Sequence, residues 1–285
     1  MGGAVAIMLT KESRVSETSG SEISEISESP KSRYASYPSL EGRVAFVSGG
    51  ASGLGAEFVS QLAAQGVRVA FVDIDDAAGE ALAREIADRG HPAPWYRHGD
   101  VRDIPALQQL IADAGRELGP ITVLVNNAAN DTRHKVEDVD VALWDDRTAV
   151  NIRHHFFAAQ AVAPMMREVG GGSIINLGSI SAHIDLADLP IYIASKAGIE
   201  GLTRTMAREL GGDLIRVNCI IPGWVMTQRQ LDNWITPEAE ASIEANQALP
   251  HKLYPDDVAR MVLWLAADDS RSCTGQKWIV DGGWM

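Results

Sequence analysis

Two cysteines in 285 residues, Cys219 and Cys273, exclude a disulfide framework and leave no cysteine cluster to hold a metal. They are far apart and carry no metal-ligand spacing, so buried thiols in a reducing, cytoplasmic setting are expected, and no metal site. Basic charge is also scarce. Lys and Arg number 25 against 38 Asp and Glu, a net charge of -13, and nothing basic is clustered. Nucleic acid and anionic membrane are therefore poor partners. No apolar run is long enough to cross a bilayer. The start, "MGGAVAIMLT", is apolar but short, without a preceding basic segment, so it makes a poor signal peptide. Gly2 sits where a myristoyl chain could be attached, but Ala6 stands where that signal wants Ser or Thr. Apolar residues are thin over 11–40, as in "SETSGSEISEISESP". Such a segment buries too little surface to offset chain entropy, so residues 1–38 are expected to be a disordered tail and 39–285 a single domain.

What is present begins at residue 43. "RVAFVS" is a short apolar run that stops at glycines, and a helical pattern follows through "AEFVSQLAAQG". "VRVAFVDID", "ITVLVNN", "GSIINLGS", "IRVNCIIPG" and "QKWIVDGG" read as further strands. Amphipathic stretches lie between them, including "AAGEALAREIADRG" and residues 103–117, 142–167, 195–210 and 255–267. Short, wholly apolar strands alternating with helices predict a doubly wound α/β fold, a parallel sheet covered on both faces.

"SGGASGLG", residues 48–55, joins the first strand to the first helix. Glycine permits a tight turn and close approach to a pyrophosphate, and the helix start offers free N–H groups. Gly49, Ser52, Gly53, Leu54 and Gly55 are the candidate phosphate contacts. Eighteen residues after Gly55 the second strand ends at Asp73, followed by Ile74. A carboxylate there can accept from both ribose hydroxyls of NAD and repel the extra phosphate of NADP. No arginine or lysine adjoins Gly53 or Asp73 to compensate that phosphate.

"IYIASK", residues 191–196, places Tyr192 and Lys196 four apart, on one face of a helix. A phenol is a poor base near neutral pH, and a neighbouring ammonium would favour its ionised form. These motifs, with "GDV", "NNAA", Asn151 in "AVNIRHHFF", Ser179 in "NLGSIS", "IIPGWVMT" and "VDGGW", resemble the short-chain dehydrogenase/reductase family from about residue 40 to the C-terminus. Departures are Ser48 for the usual threonine, Ala129 for the usual glycine and Gly178 for a second serine. The last two bear on the nicotinamide pocket, which Ala129 would tighten, and on the catalytic loop.

The resemblance implies a Rossmann-type fold, a homotetramer contacting through "FFAAQAVAPMM", and a catalytic set of Asn151, Ser179, Tyr192 and Lys196. The thirteen-residue gap from Ser179 to Tyr192 fits the same pattern. Tyr192 would be the acid/base and Ser179 would hold the substrate oxygen. Lys196 would hold the nicotinamide ribose, and Asn151 would anchor a relay water. Asp100 and Val101 would hold adenine, and Asn127 and Ala128 the adjoining ribose and chain. Pro222, Gly223, Val225 and Thr227, together with Tyr192 and Lys196, would hold the nicotinamide end. Asn218 reads as structural.

The loops expected to form the substrate wall carry Asn130, Asp131, Arg133 and His134, then Ser181 and His183, then Trp224, Gln228, Arg229 and Gln230. Amides, hydroxyls and imidazole suit a polyhydroxylated ligand better than a steroid. The same segments resemble a bacterial aldose 1-dehydrogenase subgroup acting on pentoses and galactose, which implies NAD-dependent oxidation at C1, with L-arabinose the first choice of substrate. Another alcohol dehydrogenase or a 3-oxoacyl reductase of the family is the alternative. A catalytically silent dinucleotide-binding regulator is the non-enzymatic one.

Overall fold

Seven short strands form one parallel sheet in the computed structural model, which describes residues 34–285. They are β1 (Val44–Ser48), β2 (Arg68–Asp73), β3 (Trp95–His98), β4 (Val123–Asn126), β5 (Gly172–Leu177), β6 (Ile215–Pro222) and β7 (Lys277–Val280). Their order in space is β3-β2-β1-β4-β5-β6-β7. Parallel neighbours need long crossovers, and helices fill them. These are α1 (Gly53–Ala64), α2 (Asp76–Asp88), α3 (Ile104–Leu118), α4 (Val141–Thr148), α5 (His154–Glu168), α6 (Pro190–Leu210), α7 (Gln228–Asn233), α8 (Pro237–Asn246) and α9 (Pro255–Ala266).

Side chains alternate between the two faces with the period of a strand. Ala45, Val47, Val69, Phe71, Val123 and Val125 pack with Phe58 and Leu62 of α1 and Val262 of α9. Phe46, Val72, Leu124 and Ile174 pack on the other face with Ile111 of α3, Val162 of α5 and Met206 of α6. Both faces are dry, which is why the strands read as continuous apolar runs. The order reverses at β1, whose neighbours are β2 and β4. Beyond the C-terminal ends of such strands an open α/β sheet leaves a crevice, and this is where the sheet places Ser48, Asp73, Asn126 and Leu177.

The sheet is thus the doubly wound Rossmann-type architecture, in a compact unit from Tyr37 to Met285. Tyr37 already donates its backbone N–H to Gln65 Oε1. The rest of the predicted tail, residues 1–33, lies outside the described residues.

Four elements differ from expectation. β3 escaped notice because it is a four-residue edge strand in which only Trp95 is buried. The predicted helix over 142–167 is interrupted by a π-turn at Ala149–Arg153, between α4 and α5. Helices α7 and α8 were not predicted, since neither presents a broad apolar face. Ile243 is the buried residue of α8, and α7 has none.

Candidate active site

The strand ends open into a cleft of about 700 Å³. Its floor is the glycine loop. Gly49 has φ +66°, and a Cβ there would lie 2.8 Å from the Ala128 Cα. The Ser48 hydroxyl accepts the N–H groups of Asn127 (3.1 Å) and Ala128 (3.2 Å). Asn127 Nδ2 in turn donates to the carbonyls of Ser48 and Gly49. Loop and β4 are thereby locked together. Helices α2, α3 and α4 each begin with an aspartate that caps a free N–H, whereas Ser52 makes no such side-chain bond at α1. The donors that a cap would satisfy stay available at the cleft, the arrangement a diphosphate needs.

At the end of β2, Asp73 accepts from the backbone N–H of Ala51 (2.9 Å), Ile74 (2.8 Å) and Asp75 (3.2 Å). Its carboxylate is fixed at the cleft rim before any ligand arrives. Gly49, Ser52, Gly53, Leu54, Ile74, Val101, Ala128, Pro222, Gly223, Val225 and Thr227 line the same cleft. Asp100 lines it too, but both carboxylate oxygens are engaged by Arg102, which also bonds Asp146. That guanidinium holds the Asp100 carboxyl below its usual range. An adenine contact there falls to backbone or to the apolar side of Val101. Gly55 does not reach the cleft. A Cβ on it would sit 1.9 Å from the Gly49 carbonyl oxygen, so its role is close packing of α1 beneath the loop.

The catalytic end is built from α6 and the loop after β5. Tyr192 and Lys196 are one turn apart near the start of α6, with the ammonium 5.4 Å from the phenol ring centroid. Lys196 Nζ donates to the Leu177 carbonyl at 2.7 Å and is almost wholly buried. Burial pulls this lysine down to about 8. The phenol is held above, not below, its ordinary value: burial raises it, the charge of Asp131 adds to that, and a hydrogen bond with Ser179 opposes. The ammonium expected to favour the ionised phenol does not outweigh burial in the protein without its dinucleotide. That ammonium is turned to a strand carbonyl, and desolvation dominates at the phenol.

Two further side chains lie outside the cleft lining. Asn151 is fully buried in the π-turn and does not line the cleft. Its amide accepts from the Asn130 N–H (2.8 Å) and donates to the Asn130 carbonyl (3.1 Å), so its side chain fixes a wall residue. His183 does not line the cleft either. Glu200 on α6, itself paired to Lys277, draws Nε2 to 2.5 Å. Asn130, Ser181, Trp224, Gln228, Arg229 and Gln230 do line it. Asn218 is structural as read, bonding the Cys273 carbonyl and the Trp278 indole.

A family model described as enoyl-(acyl carrier protein) reductase matches residues 49–285. D-xylose 1-dehydrogenase of Caulobacter vibrioides is 49% identical over 250 residues, covering 88% of this chain and 98% of that one. A probable galactose dehydrogenase of Rhizobium meliloti is 44% identical over 247 residues, covering 87% and 96%. A 7α-hydroxysteroid dehydrogenase solved with NADH and 7-oxo glycochenodeoxycholic acid superposes with a TM-score of 0.82 at 31% identity, covering 86% and 94%. The chain belongs to the short-chain dehydrogenase/reductase family. It is an oxidoreductase of the CH–OH class.

The departures from the dehydrogenase/reductase pattern have local reasons. Ser48 keeps the hydroxyl that ties β1 to β4, which is all that position uses. Gly178 replaces serine because a Cβ there would come within 2.9 Å of Cys219 Sγ. Sequence reasoning passed over His154, which follows the π-turn fully buried. Its Nε2 lies 3.0 Å from the Ala128 carbonyl; a carbonyl cannot donate, so that nitrogen carries the proton. Burial takes the imidazole down to about 4, leaving it neutral. The unusual "HH" in an apolar helix was the available signal. Among the described residues, no group of three or more His, Cys, Asp or Glu is placed to hold a metal ion. No described helix is long and apolar enough to cross a membrane.

Proposed function

We propose that this protein oxidises an aldose at C1 to its lactone with NAD, taking a pentose or galactose and L-arabinose first among them. The observation that carries the reading is the wall opposite Tyr192. Asn130, Asp131, Gln230 and the Trp224 indole face the cleft, and the buried Ser181 hydroxyl has no hydrogen-bond partner among the described residues. A buried hydroxyl left unpaired is costly, and a ligand rich in hydroxyl groups on this wall supplies a partner chemistry for it. The D-xylose and galactose dehydrogenases among the relatives support the same class. L-Arabinose shares galactose's ring configuration and, like xylose, lacks the hydroxymethyl group.

The glycine loop, the uncapped start of α1 and the fixed Asp73 fit a dinucleotide diphosphate and an unphosphorylated ribose. When bound, NAD supplies the hydride acceptor and a positive ring that favours the Tyr192 phenolate. The protein's own groups do the rest. Tyr192 takes the proton from the C1 hydroxyl, and Ser179 donates to the same oxygen. Lys196, held on the Leu177 carbonyl, keeps a positive charge beneath the phenol, and Asn151 fixes Asn130 in the wall. C1 is the carbon easiest to oxidise because the ring oxygen supports the positive charge that develops there.

We further infer that the chain assembles as a homotetramer through α5, where Phe156 is exposed edge-to-face against Phe157. Its two free cysteines suit the cytoplasm. The test of function is reduced-nicotinamide formation with a panel of aldoses, uronates, secondary alcohols, steroids and 3-hydroxyacyl thioesters, with NAD and NADP in parallel. Aldose turnover with NAD is expected. Turnover confined to steroids or acyl thioesters, or preference for NADP, would refute the reading. Light scattering on the eluting protein tests the tetramer.

A further inference from the structure

The mouth of the cleft is crossed by a polar strap that catalysis as described above does not use. Asp131, in the loop after β4, accepts from Arg229 Nε on one carboxylate oxygen (2.8 Å) and from Gln230 Nε2 on the other (2.7 Å). Gln230 turns its own oxygen to the Trp224 indole at 3.1 Å. Arg229 also reaches the Thr132 hydroxyl, and the Arg133 guanidinium lies over the Trp234 ring at 4.7 Å. Four contacts thus join the loop after β4 to α7 and its end, and Asp131 is the hub.

We propose that Asp131 is a specificity-determining residue: its carboxylate receives hydroxyl groups of a neutral polyol at the cleft wall and turns away substrates that carry their own negative charge. The inference rests on the aldose reading and names what selects within that class. An ionised carboxylate offers about four acceptor sites, and the strap occupies two of them. Two remain for donors from the cleft, which Asp131 lines beside Asn130 and Gln230. A vicinal diol presents two such donors at matching separation. The neutralising partner is weakly placed, because the Arg229 side chain is 54% exposed and reaches Asp131 through Nε alone. Such a pair is screened by solvent. The negative charge of Asp131 therefore reaches inward, where it acts on both Tyr192 and Lys196. A carboxylate or thioester-linked phosphate entering this end meets that field, and a neutral sugar does not.

The same charge supplies a readout that a merely structural residue lacks. The charged and titratable groups bearing on the Tyr192–Lys196 pair are Asp131 from the loop after β4, Arg229 from α7 through Asp131, Cys219 on β6, and His154 and His155 on α5. Of these, Asp131 raises the phenol, so removing its charge lowers the pH at which oxidation gains its base. Asp131 raises both the phenol and the lysine, so loss of its charge moves the limb down whichever of them sets it.

The experiment compares wild type, Asp131→Asn and Arg229→Ala. It measures kcat/KM for D-galactose and for its anion D-galacturonate across pH, with NADH affinity and thermal unfolding as fold controls. Asp131→Asn is expected to lose about tenfold or more on galactose, the cost of a weakened charged hydrogen-bond partner. The galactose-to-galacturonate ratio should narrow, and the alkaline limb should move to lower pH. Arg229→Ala should move the limb the opposite way, because Asp131 then stands less compensated. Limb position does not depend on how much enzyme is folded, so a poorly folding variant still decides the matter. An unchanged ratio and limb in an aldose-active enzyme overturn the role of Asp131 alone. A wild type inactive on every neutral aldose overturns this inference together with the function on which it rests.

Discussion

Gly55→Ala is the most local test of how the loop is built. The added Cβ would lie 1.9 Å from the Gly49 carbonyl oxygen and 2.7 Å from Asn127 Nδ2, both far inside contact distance. Neither neighbour yields cheaply. Gly49 is pinned from the far side, where its own Cβ position lies 2.8 Å from Ala128 Cα, and Asn127 is held by two carbonyls. The alanine must therefore push α1 off the loop and break the Asn127–Gly49 bond of 2.8 Å. Overpacking costs about 1–3 kcal/mol and the lost hydrogen bond about 1 kcal/mol. If half of this falls on the diphosphate site, NADH binds about tenfold or more weakly, since about 1.4 kcal/mol is one decade. The remainder appears as a lower Tm. Titration by NADH fluorescence, beside thermal unfolding of the chain alone, reads both. Unchanged affinity and unchanged Tm would show that α1 and the loop are not packed as described.

Tyr192→Phe keeps the ring and removes the proton acceptor, so kcat should fall by about a hundredfold or more while NADH affinity holds; near wild-type turnover would remove Tyr192 from the chemistry. Because burial and Asp131 hold the phenol above its usual value, oxidation should quicken as pH rises through the alkaline range, and a pH-independent kcat/KM would contradict this. Lys196→Met should abolish turnover yet raise Tm at neutral pH. Folding depresses this lysine from 10.5 to about 8, so the folded state bears the cost of a buried charge below pH 8. That cost fades as pH climbs from 8 to 10.5, where the unfolded chain still holds the proton, so the Tm gap should close over that window. Asp73→Ala should weaken NAD, ease entry of NADP and lower Tm, because three backbone N–H groups lose their acceptor; equal NAD and NADP kinetics in wild type would refute the role of Asp73.

The sheet was legible because strands buried on both faces must be apolar throughout, and "RVAFVS" or "IRVNCIIPG" admits few other readings. The edge strand β3 was not, because Arg97 and His98 face solvent and leave no apolar run. The cofactor loop was legible as chemistry: glycine at Gly49 and Gly53 answers positive φ, and Asp73 stands at a strand end. What side chains do with their spare hydrogen bonds was not legible. Asn151 and His183 have the right residue types, but Asn130 and Glu200, distant in sequence, claim them. The polarity of the phenol's surroundings is a sum over burial and Asp131, and no spacing rule carries such a sum. The strap from Asp131 to Arg229 joins residues 98 apart in sequence, so only the fold discloses it.

The central claim is oxidation of an aldose at C1, and the position of the oxidised carbon tests it most directly. L-Arabinose, D-xylose and D-galactose, each labelled with carbon-13 at C1, are incubated with enzyme and NAD and followed by NMR. The account predicts that the anomeric signal gives way to a lactone carbonyl and then to the carboxylate of the opened acid, in step with NADH. Label in a ketose, or sugars left untouched while a steroid or an acyl thioester reacts, would contradict it.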